Sequence, residues 1–198
     1  MVRQQYNPLP QGRLSSEVSH YLPDAHMPQR VSADSPAIEV MTDLHHVPAA
    51  TVGPETPLNE ANQAMILRGV RSLLVIDSGG RVVGLITAID ILGERPMKVV
   101  RERGIRHDEL SVRDVMSPAD ELDVLSMSDV LRAEVGHVVA NLRRSGRQHA
   151  LVVDTDAGGR RLIRGIFSAS QIARQLGIPM PTTEVARTFA EIEAAFAR

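Results

Sequence analysis

The sequence predicts a mixed α/β fold of the α+β type, in which two β-α-β-β-α repeats pack as a pseudo-twofold pair. Three observations carry that prediction. Residues 69–92 read as a strand, a tight turn, a second strand and a helix start, with apolar runs Leu73–Ile76 and Val82–Ile86 flanking Ser78-Gly79-Gly80-Arg81. The same order returns later, with Gly146 to Asp154 repeating the first strand and Gly165 to Ile172 repeating the exit into a helix. Upstream, Val40-Met41-Thr42 is echoed by Val115-Met116-Ser117. The copies drift apart along the chain, from Met41 and Met116 to Gly84 and Gly165, and the drift is assigned to a longer second hairpin turn between Thr155 and Arg164.

Taken in order, residues 1–36 are rich in proline and polar residues and lack a sustained period, so they read as an extended or partly disordered arm. Leu14, Val18, Tyr21 and Leu22 fall at helical spacing within it. The first repeat occupies 37–105. Its short strand is Ala49 to Val52, and Thr56-Pro57 starts a helix with Thr as cap. Leu58, Ala61, Met65 and Ile66 face inward, and Gly69 stops the helix. Thr87 opens a second helix that Gly93-Glu94-Arg95-Pro96 interrupts before it resumes to Arg103. The second repeat occupies 106–178. Leu122 to Leu125 is its short strand, and Ser128 caps a long helix with Leu131, Val135, Val138 and Leu142 on one face, ending near Gly146. Ser170 to Leu176 is its exit helix. Residues 179–198 form an amphipathic helix with Val185, Phe189, Ile192 and Phe196 on one stripe.

Composition narrows the function classes. The chain has no Trp, two Tyr and three Phe among 198 residues, so its core is aliphatic. A net charge of −2 offers no electrostatic case for nucleic acid or an anionic membrane. Without cysteine there are no disulfides, thiolate metal sites or Cys nucleophile, which fits a cytoplasmic chain. No apolar run approaches the ~20 residues needed to span a bilayer, so no membrane insertion is expected. No nucleophile with an evident base, P-loop, Gly-x-Gly-x-x-Gly or metal cluster is present, and the expectation is a protein that is not an enzyme. His45-His46 reads as a loop pair, since neighbours on a strand point to opposite faces. Arg143-Arg144 reads as a charge pair at a helix C-terminus.

The ordered, duplicated set of Val-Met-Thr/Ser, Leu-Leu-Val-Ile-Asp and Ala-Leu-Val-Val-Asp strands, and Gly84-Leu85-Ile86-Thr87-Ala88-Ile89-Asp90 resembles a tandem pair of CBS (cystathionine β-synthase) domains, a Bateman module, over about residues 37–177. The resemblance implies a regulatory role: a disk of two repeats whose clefts bind an adenosine-type small molecule and to which an unidentified regulated partner responds. The ligands it implies are AMP, ADP, ATP, NAD or S-adenosylmethionine, with no cofactor required, and it implies a homodimer of stacked disks. Leu74 and Leu151 stand where the family often has proline. The family's exit motif is whole at Gly84, Thr87 and Asp90, whereas Gln171 replaces the aspartate beside Gly165 and Ser168. By resemblance, Asp90 takes a ribose diol, Thr87 lies near phosphate, and Arg71 and His149 reach phosphate, with Arg147 a weaker candidate.

The residues have a physical case of their own. A helix N-terminus attracts phosphate, and a carboxylate accepts hydrogen bonds from both hydroxyls of a cis-diol. Thr-x-x-Asp and Ser-x-x-Gln are equally capping boxes. For Ser168 and Gln171 the cap is the favoured reading; for Thr87 and Asp90 it is the ligand. Arg71 and His149 read as phosphate contacts or as solvated edge residues. The two clefts are therefore expected to differ. The alternative function is a ligand-free dimerisation or scaffold module.

Overall fold

The computed structural model describes residues 30–178 together with Ile192. A 3-10 turn at Ala37–Val40 leads to β1 (Thr42–Asp43), β2 (Thr51–Val52), α1 (Leu58–Arg68) and the hairpin β3 (Ser72–Ile76) and β4 (Val82–Thr87). Then come α2 (Ala88–Leu92) and α3 (Arg95–Arg103). The second half runs α4 (Val112–Val115), β5 (Ser117–Pro118), β6 (Val124–Ser126), α5 (Met127–Val130), α6 (Val135–Ser145), β7 (His149–Thr155), β8 (Arg161–Ser168) and α7 (Ala169–Gln175).

The strands form two four-stranded sheets, ordered β2-β3-β4-β5 and β1-β8-β7-β6. Each sheet contains one strand lent by the other repeat. Ser117 of β5 pairs with Leu85 of β4, and Thr42 of β1 pairs with Ile166 of β8. The Val-Met-Thr/Ser and glycine motifs recur together for a steric reason. A Cβ on Gly84 would lie 2.7 Å from the Ser117 carbonyl oxygen and 2.8 Å from the Met116 sulfur, and one on Gly165 would overlap the Met41 sulfur. Only a bare Cα lets the lent strand and its methionine close over the hairpin. A charge pair reinforces one exchange: Arg164 donates from Nε and Nη2 to the two carboxylate oxygens of Asp43 at 2.8 and 2.7 Å. This fork holds the Asp43 carboxyl well below the ordinary carboxylate range, against the opposing effect of burial.

Three apolar clusters follow from this layout. Leu58, Ala61, Met65, Leu73, Ile86 and Val115 fill the first repeat. Val40, Val138, Leu142, Val152, Phe167 and Ile172 fill the second, joined by Val31 and Ile192. Leu74, Leu85 and Leu151 form the third, with Ile166 and Leu122 packed around them. Leu74 and Leu151, the residues at the family's proline positions, are thus core residues of this third cluster. Ile192 is buried and helical; the other residues of its predicted stripe lie outside the described residues, as does the arm before residue 30. The described end of the arm is docked. Val31 is buried, and its N–H donates to the Gln175 carbonyl at 3.2 Å.

Several local expectations change. Thr56 does not cap α1; Pro57 takes the N-cap position and no side chain caps it. Ile66 is 63 % exposed, because the buried stripe of Leu58, Ala61 and Met65 leaves it round the helix from the core. The long helix predicted from Ser128 is two helices: Ser126 caps α5, Leu131 is exposed, and α6 starts at Val135. The break has a cause. Residues 33–37 cross here, with Val135 and Gly136 N–H donating to the Ser35 and Ala33 carbonyls and Ala37 N–H to that of Ala133. First-turn donors that a continuous helix would use internally are given to the arm.

The insertion in the second hairpin is not in its turn. Asp77 and Asp156 head two equivalent turns: each carboxylate accepts from the N–H groups two and four residues on and from an arginine Nε, Arg81 or Arg160. The extra residues lengthen β7 and β8 instead.

Candidate functional site

The site forms where the hairpin exit of the first repeat meets the strand entries of the second. Thr87 closes β4 and caps α2. Its Oγ1 accepts from Asp90 N–H at 3.3 Å, and its own N–H and hydroxyl donate to Asp90 Oδ2 at 2.9 and 2.7 Å. Asp90 Oδ1 accepts from Arg95 Nη1 at 3.1 Å. That guanidinium nitrogen also donates to the Val115 carbonyl at 2.8 Å and lies 3.4 Å from Ser117 Oγ. The capping box uses the first donors of a five-residue helix, so Thr87 and Asp90 are cap and cavity wall at once.

They line a cavity of about 130 Å³ with Leu85, Ile89, Ser117 and residues 146–149. Arg147 braces it, donating from Nη1 to Ser117 Oγ at 3.3 Å and from Nη2 to the Glu121 carbonyl at 3.1 Å. His149 opens β7 opposite Ser168 and is 7 % exposed. Among the described residues its buried Nδ1 has no hydrogen-bond partner. Burial, and secondarily the positive charge of Arg71, push its pKa down to about 4, so the ring is neutral at pH 7. Arg147 and His149 also line a second cavity of about 340 Å³ with Val124, Leu125, Asn141 and Arg144. Arg71 is half-buried beside β3 and stands outside the lining of both cavities; its charge reaches His149.

The structure therefore groups Thr87, Asp90 and His149 in one cavity, places Arg71 within electrostatic reach of His149, and leaves Ser168 and Gln171 out of the cavity lining, although Ser168 pairs with His149 across the strands. The capping box expected of that last pair does not form. Ser168 Oγ lies 2.9 Å from Ser170 Oγ, and Gln171 Oε1 accepts from Thr42 Oγ1 at 3.1 Å. The amide thus ties α7 to the strand lent by the first repeat. Arg95 and Ser117 were not among the predicted site residues. Ser117 carried a signal, the echo of Thr42, whereas Arg95 sat in what read as a helix interruption. His45 and His46 occupy the turn after β1, where His45 N–H donates to Asp43 Oδ1 at 2.8 Å. Among the described residues no three His, Cys, Asp or Glu side chains gather into a metal site, and no helix is long and apolar enough to cross a membrane.

Two four-stranded sheets with exchanged entry strands and a cleft at the repeat junction define a class of paired-repeat fold, and comparison with known proteins adds a family match. Residues 32–96 match the CBS domain model. Over 60 residues the chain is 33 % identical to an uncharacterized protein of Methanopyrus kandleri, a match spanning 30 % of this chain and 31 % of that one. Among solved structures, an uncharacterized conserved protein from Pyrococcus horikoshii aligns with a TM-score of 0.53 at 25 % identity, covering 77 % of this chain and 100 % of that one. A CBS-domain containing protein from Agrobacterium tumefaciens aligns with a TM-score of 0.52 at 18 % identity, covering 79 % and 98 %. The chain carries a CBS domain and has the architecture of a tandem CBS pair.

Proposed function

We propose that this chain is a regulatory ligand-sensing module, not an enzyme, which takes an adenosine-type nucleotide at the junction of its repeats and signals to a protein partner. The observation that carries the reading is His149, a buried neutral imidazole whose Nδ1 has no hydrogen-bond partner among the described residues and which lines a cavity with Asp90 and Thr87. A buried polar atom without a partner is costly, and a ligand supplies what is missing. Arg147 in the cavity wall and Arg71, whose charge reaches His149, add positive charge near the junction for a phosphate, and Asp90 offers its carboxylate to a ribose. Occupancy of the junction changes the relative stability of the two repeats' contacts, which is the basis of a population shift seen by a partner.

The test is calorimetry with AMP, ADP, ATP, NAD and S-adenosylmethionine. At least one of them should bind, and Asp90→Asn should weaken it on the order of 10-fold, the equivalent of one charge-assisted hydrogen bond. Tight binding undiminished in Asp90→Asn would move the ribose elsewhere. A second reading, a dimerisation or scaffold module without ligand, is favoured by one observation: both Asp90 oxygens already have protein donors. Under that reading light scattering reports a dimer and none of the five compounds raises the melting temperature.

A further inference from the structure

We propose that Arg95 is a specificity-determining latch on Asp90, an internal competitor that a ribose diol must displace; the inference rests on the adenosine reading above. A carboxylate offers about four lone-pair positions, two on each oxygen. On Asp90, Oδ2 receives both the Thr87 N–H and the Thr87 hydroxyl and is full. Oδ1 receives Arg95 Nη1, leaving one position open. A cis-diol brings two hydroxyl donors, so one protein donor has to leave. The Thr87 N–H cannot, because it is backbone held by the cap, and the Thr87 hydroxyl sits at 2.7 Å. Arg95 is the donor that yields. Its Nη1 carries two hydrogens but faces three acceptors, and the 3.1 Å bond to Asp90 is longer than the 2.8 Å bond to the Val115 carbonyl. Released from Asp90, it keeps Val115 and turns fully to Ser117 Oγ, both in the second repeat.

The position of Arg95 gives the displacement a consequence. It is the first residue of α3, whose far end is tied to the second repeat by the ion pair of Arg103 with Asp114. With Arg95 on Asp90, α3 is fastened to both repeats at its start. With a diol on Asp90, the Arg95 side chain bonds to the second repeat alone. The Asp90 side chain is 18 % exposed and that of Arg95 43 %, so the exchange occurs within reach of solvent.

Calorimetry with adenosine and 2′,3′-dideoxyadenosine tests this on the full chain, since neither probe carries charge and only the first carries the diol. Arg95→Ala should bind adenosine about three- to tenfold more tightly than wild type, the loss of one competing charged hydrogen bond. Its affinity for dideoxyadenosine should not change. Arg95→Lys, which keeps a cation but loses the planar fork, should fall between and serves if the alanine variant does not fold. Adenosine bound equally or more weakly by the variants, or both probes tightened alike, overturns the latch and leaves the adenosine reading standing. No adenosine binding by wild type or variants, with no nucleotide binding either, overturns both.

Discussion

His149 and Asp43 hold their charge states for opposite reasons, and their pH windows do not overlap. The unfolded chain protonates His149 near 6.5 and the folded chain only near 4. Its contribution to stability is therefore complete above about pH 6.5 and is lost as pH falls towards 4. Asp43, held by Arg164 below the unfolded value of 3.8, contributes above that value and loses its contribution below it. Melting curves against pH should thus flatten between pH 6.5 and 4 in His149→Gln, and only below about pH 4 in Asp43→Asn. The second variant should also cost roughly 1–2 kcal/mol at neutral pH, for the loss of a forked, half-buried charge pair. Parallel curves for wild type and His149→Gln would mean that the ring is solvated. Thr87 was legible because its motif recurs at Ser168, whereas Asp90 stands in one copy of that motif only and His149 was singled out by family resemblance, not by a repeated residue. Arg95 was not, since its role comes from a helix that has no counterpart signal in the second repeat. Gln171 was legible as a difference but not as a partner of Thr42, a contact 129 residues away.

Secondary structure was easier to read where elements are long. The hairpins, α1 and α7 follow from apolar runs and their glycine stops, whereas β1 and β5 are two residues each and carry no period. Nothing in their pattern says which sheet they join. The clue lay in the methionine before each and the glycine each covers, a pairing that is steric and invisible to hydropathy. Gly165→Ala should therefore destabilise by about 1–3 kcal/mol in denaturant unfolding, as overpacking against Met41. Met41→Ala in the same chain should recover part of that loss, a coupling a double-mutant cycle measures. Additive effects of the two changes would show that the contact is slack. The repeated Asp-x-Gly-Gly-Arg turn was likewise present in the sequence, but aligning the strand-end aspartates Asp77 and Asp154 hid the match of Asp77 with Asp156.

The two repeats depend on one another through the segment before the first as well. Residues 31–36 take, for α6, the role that Leu110 and Ser111 take for α1: Leu58 N–H donates to the Leu110 carbonyl, and Val135 N–H to that of Ser35. A chain starting at Ser35 loses the Val31 side chain from the core and the Ala33 carbonyl from the start of α6. It should melt roughly 5–10 °C below a chain starting at Arg30, the equivalent of about 2–3 kcal/mol in a protein of this size. Equal melting temperatures would make the docking of 31–34 energetically idle.

The exchange of entry strands also sets a timetable for synthesis. The first sheet has all its strands once Pro118 has left the ribosome, but β1 must wait for β8, and Asp43 for Arg164, 121 residues later. Until then the nascent chain carries an unpaired β1 whose hairpin does not yet exist, a slow, long-range closure.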